Sequence, residues 1–224
     1  MLTLEHAVNQ VAITMYVLRL LIIIALSMRH CSEGMIEMAK ARPITETEFR
    51  RVMAYAGTTR YPARNRLLLA LSGLAGMRVG EIQGLDLIDV LDTQEGRTRD
   101  RIYLSAERTK WHHAREVYLN RTVQRLLDAH LQERGWDEGP LILSQSKRRF
   151  GRSVLVNLFR DLYRKAGIET SSHAGRALFI TSLADRGVSI RIIQKAVGHR
   201  SLAATNSYLH ARPEEIRAAV DLLR

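Results

Sequence analysis

SSHAGRALFITSLADRGVSIRIIQKAVGHRSLAATNSYLH, residues 171–210, is the stretch on which the reading of this chain turns. His173 and Arg176 stand three apart, so on a helix they share a face. Ala177, Leu178, Thr181 and Ala184 form an apolar-to-small stripe behind that face. Asp185, Arg186 and Gly187 read as a helix stop. Ser189 is placed to cap a second helix, in which Ile190, Ile193 and Val197 recur at helical spacing. Gly198 ends that helix and puts His199 in the turn. Ser201 opens a third helix, expected to carry Tyr208 two turns in. Three short helices thus deliver two imidazoles, a guanidinium and a phenol, a set able to converge on one phosphate.

The charge balance agrees with an anionic partner. Of 224 residues, 34 are Lys or Arg and 23 Asp or Glu, a net charge of +11 with a pI near 10.4. Nucleic acid is the first partner such a surplus suggests, an anionic membrane the second. Residues 1–40 are neutral: Arg19, Arg29 and Lys40 balance Glu5, Glu33 and Glu37. The whole surplus therefore lies in residues 41–224. A single cysteine, Cys31, excludes an internal disulfide and a cysteine-based zinc site, and suits a reducing cytoplasm.

Residues 1–40 read as an apolar extension set apart from a 41–224 domain. From Val11 to Met28 only Thr14, Arg19 and Ser27 interrupt an apolar run of membrane-span length. Arg19 near its centre costs about 2.5–3.5 kcal/mol on insertion scales. The basic residues lie within and after the run, unlike a signal peptide. An extension upstream of the true start, at Met35 or Met38, is the preferred reading. A packed extra helix comes second and a membrane anchor last.

Beyond Arg42 the pattern is mainly helical. Thr45 and Glu48 form a capping box for a helix through Ala56. Pro62 opens an apolar helix, Arg64 to Ala75, whose leucines imply full burial. Gly76 breaks it, and AGMRVGEI (75–82) starts a short helix containing Arg78. RIYLS (101–105) and AREVYLN (114–120) alternate as an antiparallel hairpin, joined by a polar loop with ERTK (107–110) and Lys110. Thr122–Glu133 reads as a helix, Pro140–Leu143 as a short buried strand, and Ser153–Ala166 as an amphipathic helix. The fold class is α+β, mostly helical, with a small antiparallel sheet.

Together these segments resemble the catalytic domain of the tyrosine recombinase (phage integrase) family. HAGR matches its His-x-x-Arg helix, VGH its Leu-Gly-His turn, and Tyr208, nine residues after His199, its nucleophile. AGMRVGEI resembles the first catalytic-arginine motif, with Arg78 at the key position, and ERTK the hairpin that presents a lysine, Lys110. The resemblance covers residues 42–212. It implies the DNA-breaking-rejoining fold and a site of Arg78, Lys110, His173, Arg176, His199 and Tyr208. It implies double-stranded DNA as partner, a homo-tetramer on two DNA sites, accessory DNA-bending proteins, and a cytoplasmic, nucleoid-associated location. The family's N-terminal core-binding domain has no counterpart in residues 1–40, and in this the chain resembles the short fimbrial phase-variation invertases, which lack that arm. Gly175 is locally unfavourable in its helix, by about 1 kcal/mol against Ala.

The chemistry needs such a set. Attack by a phenol at phosphorus loads negative charge on two non-bridging oxygens, which the planar forks of Arg78 and Arg176 suit. A departing 5′-alkoxide needs a proton, assigned to Lys110. A phenol of ordinary pKa about 10 needs a base, assigned to His173. His199 is placed to donate to a non-bridging oxygen. The product, a 3′-phosphotyrosyl link, keeps the bond energy, so no ATP, metal or other cofactor is expected.

Singly, each residue has a plainer reading: a packing tyrosine, a histidine at a helix end, surface cations. His112-His113 suggests no metal site, because adjacent strand residues face opposite ways. The rival classes are a non-catalytic helix-turn-helix-like regulator, read from 189–210, and a type IB topoisomerase-like relaxase. The regulator leaves Arg78, Lys110 and the His173/Arg176 pair unexplained. Formation of sequence-specific junctions separates recombinase from relaxase.

Overall fold

Thr45 and Glu48 start the first described helix by exchanging hydrogen bonds: the Thr45 hydroxyl accepts the Glu48 N–H at 3.1 Å and the Glu48 carboxylate accepts the Thr45 N–H at 2.8 Å. In the computed structural model the described residues are 43–92, 95–109, 113–209 and, in the tail, 217, 220, 221 and 223. They fall in one compact unit, Ala41–Arg224. The expectations for residues 1–40 and for Lys110 lie outside the described residues.

Helix α1 spans Glu46–Ala56 and α2 Pro62–Gly73. The latter ends two residues earlier than its apolar run suggests, because Gly76 turns the chain with φ +66°. Leu67, Leu68, Leu69 and Leu71 are all buried, and α2 is the centre of the core. It packs against α5 (Arg121–Arg134) and α7 (Ala174–Asp185). Each buried leucine stabilises the fold by about 1.5–3 kcal/mol.

Between α2 and α5 lie α3 (Val79–Gln83), α4 (Leu87–Val90) and two antiparallel ribbons. One is β1 (Leu91–Asp92) with β2 (Arg97–Thr98), which the alternation did not announce. The other is the expected hairpin, β3 (Arg101–Leu104) with β4 (Arg115–Tyr118), in register Arg101 to Tyr118. Ile102, Leu104 and Val117 point into the core, while Tyr103 and Tyr118 face out.

The strand expected at Pro140–Leu143 is not one. The segment makes only isolated bridges, Asp86 to Pro140 and Leu143 to Arg149. Side chains take its carbonyls instead: Arg134 Nε donates to Pro140 O, His130 Nε2 to Leu141 O and Arg64 Nη1 to Leu143 O, at 3.0, 2.9 and 3.1 Å. Helix α6 (Arg152–Lys165) then buries Leu155, Phe159, Leu162 and Tyr163.

Helices α8 (Ile190–Val197) and α9 (Leu202–Asn206) follow α7. Ser189 holds the N-cap position of α8 without a side-chain cap bond, whereas Ser201 caps α9 by accepting the Ala204 N–H. Gly198 closes α8 in the left-handed region, φ 63° and ψ 50°. Helix α9 stops at Asn206, so Tyr208 stands in the turn beyond it and not on the helix. Ile180, Ile193 and Val197 form a second, small apolar cluster there, flanked by Phe179, Leu183 and Tyr208. In the tail Val220 and Leu223 are exposed. Among the described residues no helix is long and apolar enough to cross a membrane.

Candidate active site

Arg78 is the N-cap residue of α3, and Glu81 fixes it twice. The Glu81 carboxylate accepts the Arg78 backbone N–H at 2.8 Å and its Nη1 at 2.7 Å. Glu81 is buried and also pairs with Arg115 at 2.7 Å. Burial alone would raise its carboxyl, yet Arg115 and Arg78 hold it below the usual carboxylate range.

Arg176 sits in the first turn of α7, three residues after His173. Gly175 accounts for its depth. A Cβ there would lie 2.8 Å from Ser72 Oγ and 3.0 Å from Tyr163 Oη, so only glycine lets this turn close onto α2 and α6. Arg176 is 5% exposed. Burial, reinforced by Arg78, pushes its guanidinium down to about 9, which leaves it charged at neutral pH.

The two arginines meet at the end of α8, where a third joins them. A helix leaves its last carbonyls without internal partners and with partial negative charge. Arg115 Nη1 donates to Ala196 O at 2.6 Å, Arg176 Nη2 to Val197 O at 2.6 Å, and Arg78 Nη2 to Gly198 O at 3.1 Å. Arg176 Nη1 also donates to Gly76 O. Three successive carbonyls are thus held by guanidiniums from three different parts of the chain.

His199 follows directly. Its Nδ1 shares a 3.0 Å hydrogen bond with Oγ1 of the buried Thr205, which leaves Nε2 for another partner. Burial first, and then Arg176, Arg78 and Arg115, push the imidazole down to about 4, so it is neutral at neutral pH. The Tyr208 ring lies near-parallel to it, centroids 6.1 Å apart at 19°. The Tyr208 N–H donates to Thr205 O at 3.0 Å, and its phenol is within electrostatic range of Arg176.

Of the six sequence-read positions, the structure gathers Arg78, Arg176, His199 and Tyr208 here. His173 is the exposed N-cap residue of α7, its N–H donating to Ser171 Oγ at 3.2 Å. Lys110 lies outside the described residues. Its flanks are joined, since Thr109 Oγ1 accepts the His113 N–H at 3.0 Å. An open groove of about 840 Å³ runs between the hairpin and α8, lined by Arg78, Tyr103, His113, Lys195, His199 and Arg200. The sequence reading missed Glu81 and Arg115. Glu81 carried a signal, an acidic residue three after the N-cap. Arg115 carried none, being one of the chain's 34 Lys and Arg residues, with nothing in its alternating strand to set it apart.

A sequence model described as the Phage integrase family matches residues 42–215. The chain belongs to that family. It is 26% identical over 184 residues to tyrosine recombinase XerA of Pyrococcus horikoshii, covering 80% of this chain and 60% of that protein. It is 30% identical over 181 residues to tyrosine recombinase XerA of Thermococcus kodakarensis, covering 80% and 61%. The chain therefore spans about three fifths of the length of these curated relatives. A crystal structure of XerA recombinase superposes with TM-score 0.66 at 29% identity, covering 81% of this chain and 65% of that one. The Tn1549 transposon integrase in complex with transposon right end DNA superposes with TM-score 0.65 at 19% identity over 81% and 65%, a likeness of fold alone. The α+β, mostly helical class with small antiparallel ribbons is that of the tyrosine recombinase catalytic domain.

Proposed function

We propose that this integrase-family chain is a site-specific DNA recombinase that breaks and rejoins double-stranded DNA through Tyr208. The phenol oxygen bonds to phosphorus and the 5′-oxygen of the next nucleotide leaves, giving a 3′-phosphotyrosyl link. A 5′-hydroxyl attacking that link reverses the step and frees the phenol. Arg78 and Arg176 hold the non-bridging oxygens. Thr205, hydrogen-bonded to His199 Nδ1, favours the tautomer in which Nε2–H donates to the same phosphate. His173 takes the phenol proton and Lys110 gives one to the leaving oxygen. The exchange runs in a homo-tetramer on two DNA sites, with accessory DNA-bending proteins, on the nucleoid in the cytoplasm. Residues 41–224 form the catalytic domain, and residues 1–40 an extension that takes no part in the chemistry.

The observation that carries this reading is the assembly of two guanidiniums, a neutral imidazole and a phenol at one helix end, beside a groove in a chain of net charge +11. A regulator that only binds DNA has no use for a deeply buried arginine next to a tyrosine. The test is a nicked suicide duplex from DNA flanking the coding locus. Wild type should form a denaturant-resistant protein–DNA adduct, and Tyr208→Phe should keep DNA binding and form none. An adduct with the Phe variant, or none with wild type, ends the proposal.

A further inference from the structure

Arg115 is built into the site, yet none of the chemical roles above uses it. Its side chain is 7% exposed and its fork spans two elements, Nη2 on Glu81 of α3 and Nη1 on the Ala196 carbonyl of α8. Its stem crosses the turn before His199: a Cβ on Gly198 would meet Arg115 Cδ at 2.6 Å. Gly198 is therefore needed both for its left-handed backbone and for the passage of this side chain.

We infer that Arg115 is a positioning residue for DNA cleavage, holding the turn that presents His199 and sharing Glu81 so that Arg78 stays available to the phosphate. The assignment rests on the cleavage reading of the site. The charge logic runs through Glu81, the one buried carboxylate among the described residues. Glu81 spreads its two oxygens over Arg78 and Arg115, and with Arg176 the cluster keeps two net positive charges. Without Arg115, Glu81 neutralises Arg78 alone and the cluster keeps one. The carbonyl of Ala196 also loses its donor, which frees the end of α8 one turn from the reacting atoms. Misplacement by about 1 Å is enough to slow a reaction about 100-fold.

Two variants separate position from charge. Arg115→Lys keeps the charge but cannot bridge both partners, and Arg115→Met keeps the length without charge. On the nicked duplex, in single turnover, adduct formation should slow about 10-fold in the Lys variant and about 100-fold in the Met variant. DNA affinity and its salt slope should stay near wild type, since no phosphate contact is lost. The ring-nitrogen NMR shifts of His199 in the free protein report its bond to Thr205, and they should change in both variants. Unchanged shifts together with a wild-type rate in Arg115→Lys overturn the inference. So does a fall in affinity that matches the fall in rate with His199 unmoved, which would make Arg115 a phosphate-binding group. If wild type itself forms no adduct, the cleavage reading fails, and Arg115 loses its role in cleavage with it. The His199 shifts of the free protein then still show whether Arg115 holds the turn. A Met variant that does not fold leaves the Lys variant, which keeps the ion pair, to decide.

Discussion

Helix α2 buries ten of its twelve residues, whereas α8 buries only Ile193 and Val197 of eight. The first is fixed by packing from every side and sits at the centre of a large apolar cluster. The second has a three-residue cluster beneath it and three guanidiniums clasping its end. Packing is non-directional and tolerates rotation about an axis, while hydrogen bonds to consecutive carbonyls fix both the depth and the rotation of a helix end. The molecule thus keeps bulk stability in one region and precision in the other.

Leu68→Ala is the strongest probe of that division. It should cost about 2–5 kcal/mol of stability, read as a lowered denaturant midpoint, with adduct formation per folded molecule unchanged. A matching fall in rate would mean that the two regions are one. Arg176→Lys should do the reverse: about 1–3 kcal/mol of stability for carbonyls left without donors, and a loss on the order of 100- to 1000-fold in adduct formation. Full cleavage by this variant would remove Arg176 from the site.

Acid should act mainly through histidine. An unfolded imidazole protonates near 6.5, but His199 is pushed down to about 4, chiefly by burial and then by the arginines. The unfolded state therefore binds more protons between these values, and the stability that neutral His199 contributes above pH 6.5 is lost as pH falls toward 4. His130, lowered by burial, works in the same direction. Glu81, held low, adds its own loss only below the ordinary carboxylate range. Chemical denaturation across this window should show the decline, and His199→Gln should flatten its share of it. An unaltered pH profile in that variant would contradict the burial of His199. Ile193→Val should be the mildest change, about 0.5–1.5 kcal/mol in thermal unfolding with a small loss of rate. A large loss of rate would show that packing also sets the position of α8.

Much of this was legible in the residues. Capping boxes, proline starts, glycine stops and strand alternation are local, and they placed α1, α2, the hairpin and the α7–α8 boundary. What failed was decided at a distance. Pro140–Leu143 looks like a strand, but Arg134, His130 and Arg64 occupy the carbonyls a strand would use. Tyr208 looks helical, yet α9 exposes Ala203 and Ala204 and buries Thr205 alone, so no apolar stripe extends it to that residue. Gly175 looks like a weakness until Ser72 and Tyr163 are seen across from it. For the site, residue types and offsets pointed to Arg78, Arg176, His199 and Tyr208. Glu81 had its offset from the N-cap as a local signal, but Arg115 needed coordinates, because nothing local marks which arginine a buried glutamate will choose.

The three carbonyl clasps also bear on how the protein is made. The partners are separated by 120, 81 and 21 residues along the chain, and all converge on 196–198. Contacts of such span close only after the intervening segments have docked. During synthesis, a nascent chain that has not yet released residue 198 from the ribosome holds these arginines without their carbonyl partners on α8, and with no imidazole beside them. Fragments ending short of that turn share this state. The clasp on residues 196–198 is therefore among the last contacts the domain can close.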